Sequence, residues 1–234
     1  MEIHVITAFP NLFSSPLDES IIKRAVDKGL ISVVLHDIRD YALDKHHQID
    51  DYPYGGGAGM VLKPEPLFRC FETIIPQYHL EECPVTLLSA AGELFNQKRA
   101  VEMSLRDRMI LLCGHYKGID ERVLDVWVDE EISIGEYVVT GGELPALVII
   151  DAVTRLIPGA ISDIDSAETD SFQCGLLDHP HYTRPEIFRD MPVPGVLLSG
   201  NHAEIEKWKR SYMLKRTSEK RKDLYNKYME SDNE

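Results

Sequence analysis

The chain has 234 residues, 44% of them hydrophobic and 27% charged, with 39 Asp and Glu against 25 Lys and Arg. That is the balance of an ordinary globular protein, long enough for one domain of moderate size plus a smaller one. The longest apolar runs, such as Ala146–Ile150, are too short to span a bilayer, and the opening M-E-I-H-V-I-T lacks the pattern of a signal peptide, so a cytoplasmic protein without a membrane partner is expected.

Glu2–Thr7 reads as a first strand, and Asp18–Lys28 as a helix stopped by Gly29. Ile31–Leu35 is a second buried strand. Arg39–Met60 reads as a long polar loop, of a length that is often functional. Helical spacing over Leu67–Ile75 precedes a strand at Val85–Ser89 that opens onto Ala90-Ala91-Gly92. A helix at Gln97–Leu105, a strand at Met109–Cys113, a helix at Ile119–Val126 and a strand at Glu131–Ile134 follow. Glu143–Ile157 is an apolar helix ended by Pro158-Gly159. Strands alternating with helices predict an α/β fold whose largely parallel sheet is covered by helices on both faces.

After Pro158 the texture changes. Residues 160–175 are polar, acidic and rich in small side chains, and read as a flexible linker between a domain at 1–159 and a C-terminal module at 176–234. Helices are expected in that module at Ala203–Leu214, capped by Asn201, and at Ser218–Met229. From residue 176 onward there are 11 Lys and Arg against 10 Asp and Glu, a net of +1, so of the overall −14 the first 175 residues carry −15. Lys207–Lys227 holds nine basic residues against Glu219 and Asp223. Such a segment suits RNA, and charge alone suits a solvated helix face equally well.

The chemistry concentrates between Leu111 and Pro145. Two apolar strands run into the glycine-bearing turns of G-H-Y-K-G-I-D-E-R and S-I-G-E-Y-V-V-T-G-G-E-L-P. Glycine there allows close approach of backbone, which outlines one pocket walled by main chain. The loop D-D-Y-P-Y-G-G-G-A-G-M lacks the Lys-Ser/Thr of a P-loop, and no G-x-G-x-x-G opens a first βα unit, so triphosphate and nicotinamide chemistry are not expected. Cys70, Cys83, Cys113 and Cys174 show no C-x-x-C pairing and read as reduced thiols. His46-His47 and His179-x-His181 lack third and fourth partners at recognised spacing, so no metal site is assigned. Arg155 near a helix end and Asp170 in the linker are candidates for chemistry that residue type alone leaves open.

Taken together, D-D-Y-P-Y-G-G-G-A-G-M, G-H-Y-K-G-I-D-E-R, S-I-G-E-Y-V-V-T-G-G-E-L-P, D-S-F, G-L-L-D-H-P-H-Y-T-R-P and P-G-V-L-L-S-G-N-H-A-E-I resemble, in order and nearly end to end, the bacterial tRNA (guanine-N1)-methyltransferase (TrmD) family of the SPOUT class. The resemblance implies methylation of N1 of guanosine at tRNA position 37 by S-adenosylmethionine, a guanosine immediately 5′ of the target, recognition of the anticodon stem-loop, and extrusion of the target base. It also implies a deep trefoil knot in the N-terminal domain, a small mostly helical C-terminal tRNA-binding domain, and a homodimer with its active site at the subunit interface. Cofactor contacts carried over by position are Leu88, Ser89, Gly114, Tyr116, Ile134, Gly135, Glu136, Tyr137, Val138, Val139, Gly141, Gly142 and Pro145. Asp170 matches the general base, Arg155 the stabiliser of guanine O6, and His181, Tyr182 and Arg184 the substrate-binding motif. A magnesium requirement goes with the family, without an identifiable protein site.

Three positions depart from the family pattern. Lys117 stands where Glu is usual, Ala90-Ala91 where Pro-Gln is usual, and Ala58 where Pro is usual. The charge reversal at Lys117 motivates one alternative, a catalytically silent RNA-binding protein. A second alternative is a SPOUT methyltransferase acting on another RNA nucleoside.

Overall fold

The computed structural model describes residues 1–161 and 170–231. The chain divides into two compact units, Met1–Ser162 and Asp163–Glu234. In the first, β1 (Glu2–Thr7) and β2 (Ser32–Asp37) precede a short antiparallel pair, β3 (Asp50–Asp51) with β4 (Val61–Leu62). β5 (Val85–Leu94), β6 (Arg108–Cys113) and β7 (Glu130–Ser133) follow. A five-stranded sheet runs in the order β2-β1-β6-β5-β7, and every pairing in it is parallel.

Period-two alternation distributes the strands' side chains between two cores. Ile3 and Val5 of β1 and Met109, Leu111 and Cys113 of β6 enter one. Ile6, Ile110 and Leu112 enter the other. The first core is closed by the helices α2 (Ser20–Asp27), α4 (Gln97–Ser104) and α6 (Glu143–Thr154), after a short turn of helix, α1, at Ser14–Leu17. α3 (Pro64–Tyr78) and α5 (Glu121–Trp127) close the second, where Phe71 is fully buried and stacks on Trp127 at 5.1 Å between ring centroids. α2 ends as expected: Gly29 takes φ +68° and donates its N–H to Val26 O.

Two expectations change. The polar stretch 39–60 is not a bare loop, because a 3-10 turn at Ile38–Tyr41 and the β3–β4 pair organise it. Ile49 and Leu62 supply buried anchors there, too few to show as periodicity. Nor does β5 end at Ser89. Leu88 and Glu93 both register with Ile132, so Ser89–Gly92 bulge out before the strand pairs again. Gly92 permits the return, since a Cβ there would overlap the Glu131–Ile132 backbone.

In the second unit, β8 (Ile187–Phe188) and β9 (Met191–Pro192) form a hairpin whose turn residues, Arg189 and Asp190, both take positive φ, as a type I′ turn requires. α7 (Gly195–Leu198), α8 (His202–Lys220) and α9 (Lys222–Ser231) follow. Asn201 caps α8 as expected, its side chain accepting from Glu204 N–H at 3.4 Å. α8 runs six residues past the expected end, into the basic segment. Of the linker assigned to 160–175, residues 162–169 lie outside the described residues. Ala160 is buried in the first unit's core, and Asp170–Gly175 form hydrogen-bonded turns.

Candidate active site

Parallel strands in one sheet end on the same side, so the turns after β5, β6 and β7 converge. They enclose a cavity of about 410 Å³. Leu88 and Ser89 from β5, Gly114 and Tyr116 from the turn after β6, and Ile134, Gly135, Tyr137, Val138 and Val139 after β7 line it. Gly141, Gly142 and Pro145, leading into α6, complete the set. Glu136 is the one residue of the expected cofactor set that does not line the cavity.

The loop after β7 reaches back over β5 to the end of β6. Gly142 donates its N–H to Gly114 O at 2.7 Å, and His115 and Gly141 form an antiparallel bridge. This approach needs glycine. A Cβ on Gly142 would lie 2.7 Å from Cys113 Cα and 3.0 Å from Gly114 N, and one on Gly141 would overlap Glu143 and His115. Behind the turn, Glu143 is buried at the first turn of α6, where a carboxylate complements the helix dipole. It accepts from Thr7 Oγ1 at 2.8 Å and lies 3.5 Å from His115 Nδ1. Burial, with Glu143 beside it, pushes the Cys113 thiol well above its usual range, so that thiol is a packing group and no nucleophile.

The cavity's charged walls are Lys117, Glu121 and Glu131, with Glu131 accepting from Ser89 Oγ. Lys117 donates its N–H to Met60 O at 2.9 Å, and its stem packs so closely on Gly59 that a Cβ there would lie 2.7 Å from Lys117 Cγ. The glycine loop 55–59 is thereby tied to the cavity's rim. Burial, then the Asp50 carboxylate, raises the Tyr116 phenol above its usual range, so it stays protonated at neutral pH. His115 and Glu121 stand inside the G-H-Y-K-G-I-D-E-R motif without an assigned role, and Glu131 lies outside every motif. Glu131 becomes visible only once the β5–β7 register sets it beside Ser89.

Arg155 and Asp170 do not line this cavity. Arg155 is the half-buried C-terminal cap of α6, its N–H bonded to Asp151 O at 3.1 Å. Asp170, in the second unit, opens the turn that Gln173 N–H closes at 3.3 Å. His181, Tyr182 and Arg184 are exposed on the second unit, with His181 Nε2 bonded to the Asp178 carboxylate at 2.7 Å. Asp178 also stands beside His179, a third partner for the His179–His181 pair that spacing did not identify. The basic segment is less bare than its composition suggests, because Lys207 and Lys209 pair with Glu204 and Glu206 one helical turn earlier.

No helix among the described residues is long and apolar enough to cross a membrane. Comparison with known proteins adds identity to this geometry. Residues 1–227 match the family model described as tRNA (Guanine-1)-methyltransferase TrmD. A protein of Clostridioides difficile named tRNA (guanine-N(1)-)-methyltransferase is 51% identical over 227 residues, spanning 97% of this chain and 98% of its own. Proteins of the same name from Dehalococcoides mccartyi and Moorella thermoacetica are 54% and 53% identical, over 97% and 96% of this chain and 91% and 90% of theirs.

Proposed function

The chain belongs to the tRNA (guanine-1)-methyltransferase TrmD family, and from that premise we propose that it transfers a methyl group from S-adenosylmethionine to N1 of guanosine 37 of tRNA, in the cytoplasm. The observation that carries this reading is the cavity at the ends of β5, β6 and β7. Twelve of the thirteen residues assigned to the cofactor line it. Its volume falls in the range of small-molecule sites, and its walls suit the donor. S-adenosylmethionine has a sulfonium, an ammonium and a carboxylate, a net charge of about +1. Glu121, Glu131 and Lys117 offer the complementary two carboxylates and one ammonium. Main-chain groups of the Gly114 and Ile134–Val139 turns would hold the adenine, with Leu88 and Pro145 offering apolar side chains to it.

When bound, the cofactor supplies an activated methyl group. What remains for the protein is to make N1 a nucleophile, because guanine N1 keeps its proton at neutral pH. Asp170 accepts that proton as the general base. Arg155 holds the negative charge that develops on O6. Holding donor and acceptor in line supplies much of the remaining acceleration, so no covalent enzyme intermediate is required. His181, Tyr182, Arg184 and the basic Lys207–Lys227 segment engage the anticodon stem-loop. A magnesium requirement is taken from the family, with no protein site assigned to it.

The active form is a homodimer in which the base of one subunit serves the cofactor of the other. Leu144 and Val148 support it, since they lie four residues apart on α6 and are 55% and 46% exposed. Arg155 follows seven residues after Val148, on the same face of the helix. The return of the 134–142 loop across β5 to the Gly114 turn supports the deep trefoil knot.

Incubation with labelled S-adenosylmethionine and two tRNA transcripts, one with guanosine and one with adenosine at position 37, tests the reading. Label should enter the guanosine transcript alone. Equal labelling points to another nucleoside and labelling of neither to a silent RNA-binding protein, and either outcome defeats the proposal.

A further inference from the structure

The second unit holds a side-chain cluster of which only His181 has a place in the methyltransferase reading. We propose that Asp178, His179 and His181 form a site for a divalent transition metal of the Zn²⁺ class, independently of the methyltransferase reading. One donor atom from each residue lies within 4.8 Å of the other two. Zinc holds such ligands at about 2.0–2.2 Å in a tetrahedron, which places them roughly 3.4 Å from one another. Rotation of two side chains by about an ångström closes the gap.

The tautomer of His179 is already set for ligation. Its Nδ1 is 3.1 Å from Pro180 O, a carbonyl that can only accept, so Nδ1 carries the hydrogen and Nε2 the lone pair. That Nε2 lies 3.8 Å from Asp178 Oδ1. A histidine whose second ring nitrogen donates to a carbonyl is the arrangement metal-bound imidazoles use. His181 Nε2 sits on the other carboxylate oxygen at 2.7 Å. A metal entering there displaces its proton, as imidazole ligation requires.

The backbone at Leu177–Asp178 is pinned. Asp178 N–H donates to Ser171 Oγ at 3.0 Å, Arg216 donates to Asp178 O at 3.2 Å, and Leu177 N–H donates to Thr217 Oγ1 at 2.9 Å. Asp178 and His179 also line a cavity of about 450 Å³, which leaves room for a metal-bound water to complete the tetrahedron. Two imidazoles and one carboxylate select Zn²⁺, Co²⁺ or Ni²⁺. Mg²⁺ demands an octahedron of oxygens and is refused. An occupied site fixes the imidazole of His181, which the methyltransferase reading places against RNA.

The test uses full-length protein stripped with a chelator and titrated with Zn²⁺ against a chromogenic indicator, with Mg²⁺ in excess as competitor. The wild type should bind one Zn²⁺ per chain, undisturbed by Mg²⁺. His179→Ala and Asp178→Asn should each weaken binding by about tenfold or more. No stoichiometric Zn²⁺ on the wild type, or unchanged affinity in both variants, overturns the proposal. Should the variants lose their circular dichroism, the Co²⁺ spectrum of the wild type decides. A nitrogen-ligated, low-coordinate spectrum supports the site, and that of the aqueous ion overturns it.

Discussion

Replacing Gly142 with alanine isolates the closeness on which the cavity depends. Gly142 has φ −75° and ψ −7°, which alanine adopts without backbone cost, so any penalty is steric. The new Cβ would stand 2.7 Å from Cys113 Cα and 3.0 Å from Gly114 N. Comfortable carbon contacts begin near ~3.5 Å, and both neighbours are backbone at the end of a central strand, unable to rotate aside. The start of α6 must therefore retreat by about an ångström, at an overpacking cost of about 1–3 kcal/mol. The Gly142–Gly114 hydrogen bond stretches with it, adding about 1 kcal/mol. Gly195→Ala is the control, because nothing lies within 4 Å of its added methyl. Urea unfolding should show a lower midpoint for Gly142→Ala at an unchanged slope. Calorimetric titration should show S-adenosylmethionine bound about tenfold or more weakly. If Gly142→Ala matches Gly195→Ala in midpoint and donor affinity, the steric argument and the cavity's assignment fail together.

Phe71→Ala should cost about 3–5 kcal/mol, because the ring is fully buried against Trp127; a loss below about 1 kcal/mol in a urea series would contradict the packing. Burial, then the neighbouring His4, pulls His36 from 6.5 to about 4, so between those values the unfolded chain binds the proton that the folded chain refuses. Stability from this group is therefore complete above about pH 6.5 and lost as pH falls toward about 4, by about 3 kcal/mol in all. Unfolding midpoints across that window should fall for the wild type more steeply than for His36→Gln, and parallel profiles would refute the assignment. Changing Lys215, Lys220 and Lys222 to alanine should weaken tRNA binding and flatten its salt dependence by about one unit of slope per lost phosphate contact. An unchanged slope would return that segment to solvent.

The strands were the most legible part of the fold, because a buried parallel strand is a short apolar run between breakers, as Met109–Cys113 and Glu2–Thr7 are. What escaped depends on register. The bulge at Ser89–Gly92 exists because Leu88 and Glu93 share one partner, and nothing in a single strand's sequence announces its neighbour's alignment. The pairing of Asp50–Asp51 with Val61–Leu62 is too short for any period to develop. At the candidate site the glycines were readable as points of close approach, and Gly141 and Gly142 behave that way. The charges on its walls were less so. Glu131 counts only once it meets Ser89. Motif spacing carries residue identity along the chain, whereas that pair is set across it.

The division of labour between a main-chain donor cavity and a separate carboxylate base is tested most directly by Asp170→Asn, measured twice on one preparation. Its affinity for S-adenosylmethionine should equal that of the wild type, since the cavity does not include residue 170. Its single-turnover rate of N1-methylguanosine formation should fall by about 10²–10⁴-fold. Wild-type turnover would remove Asp170 as the base, and loss of donor binding in step with rate would contradict the separation of the two roles.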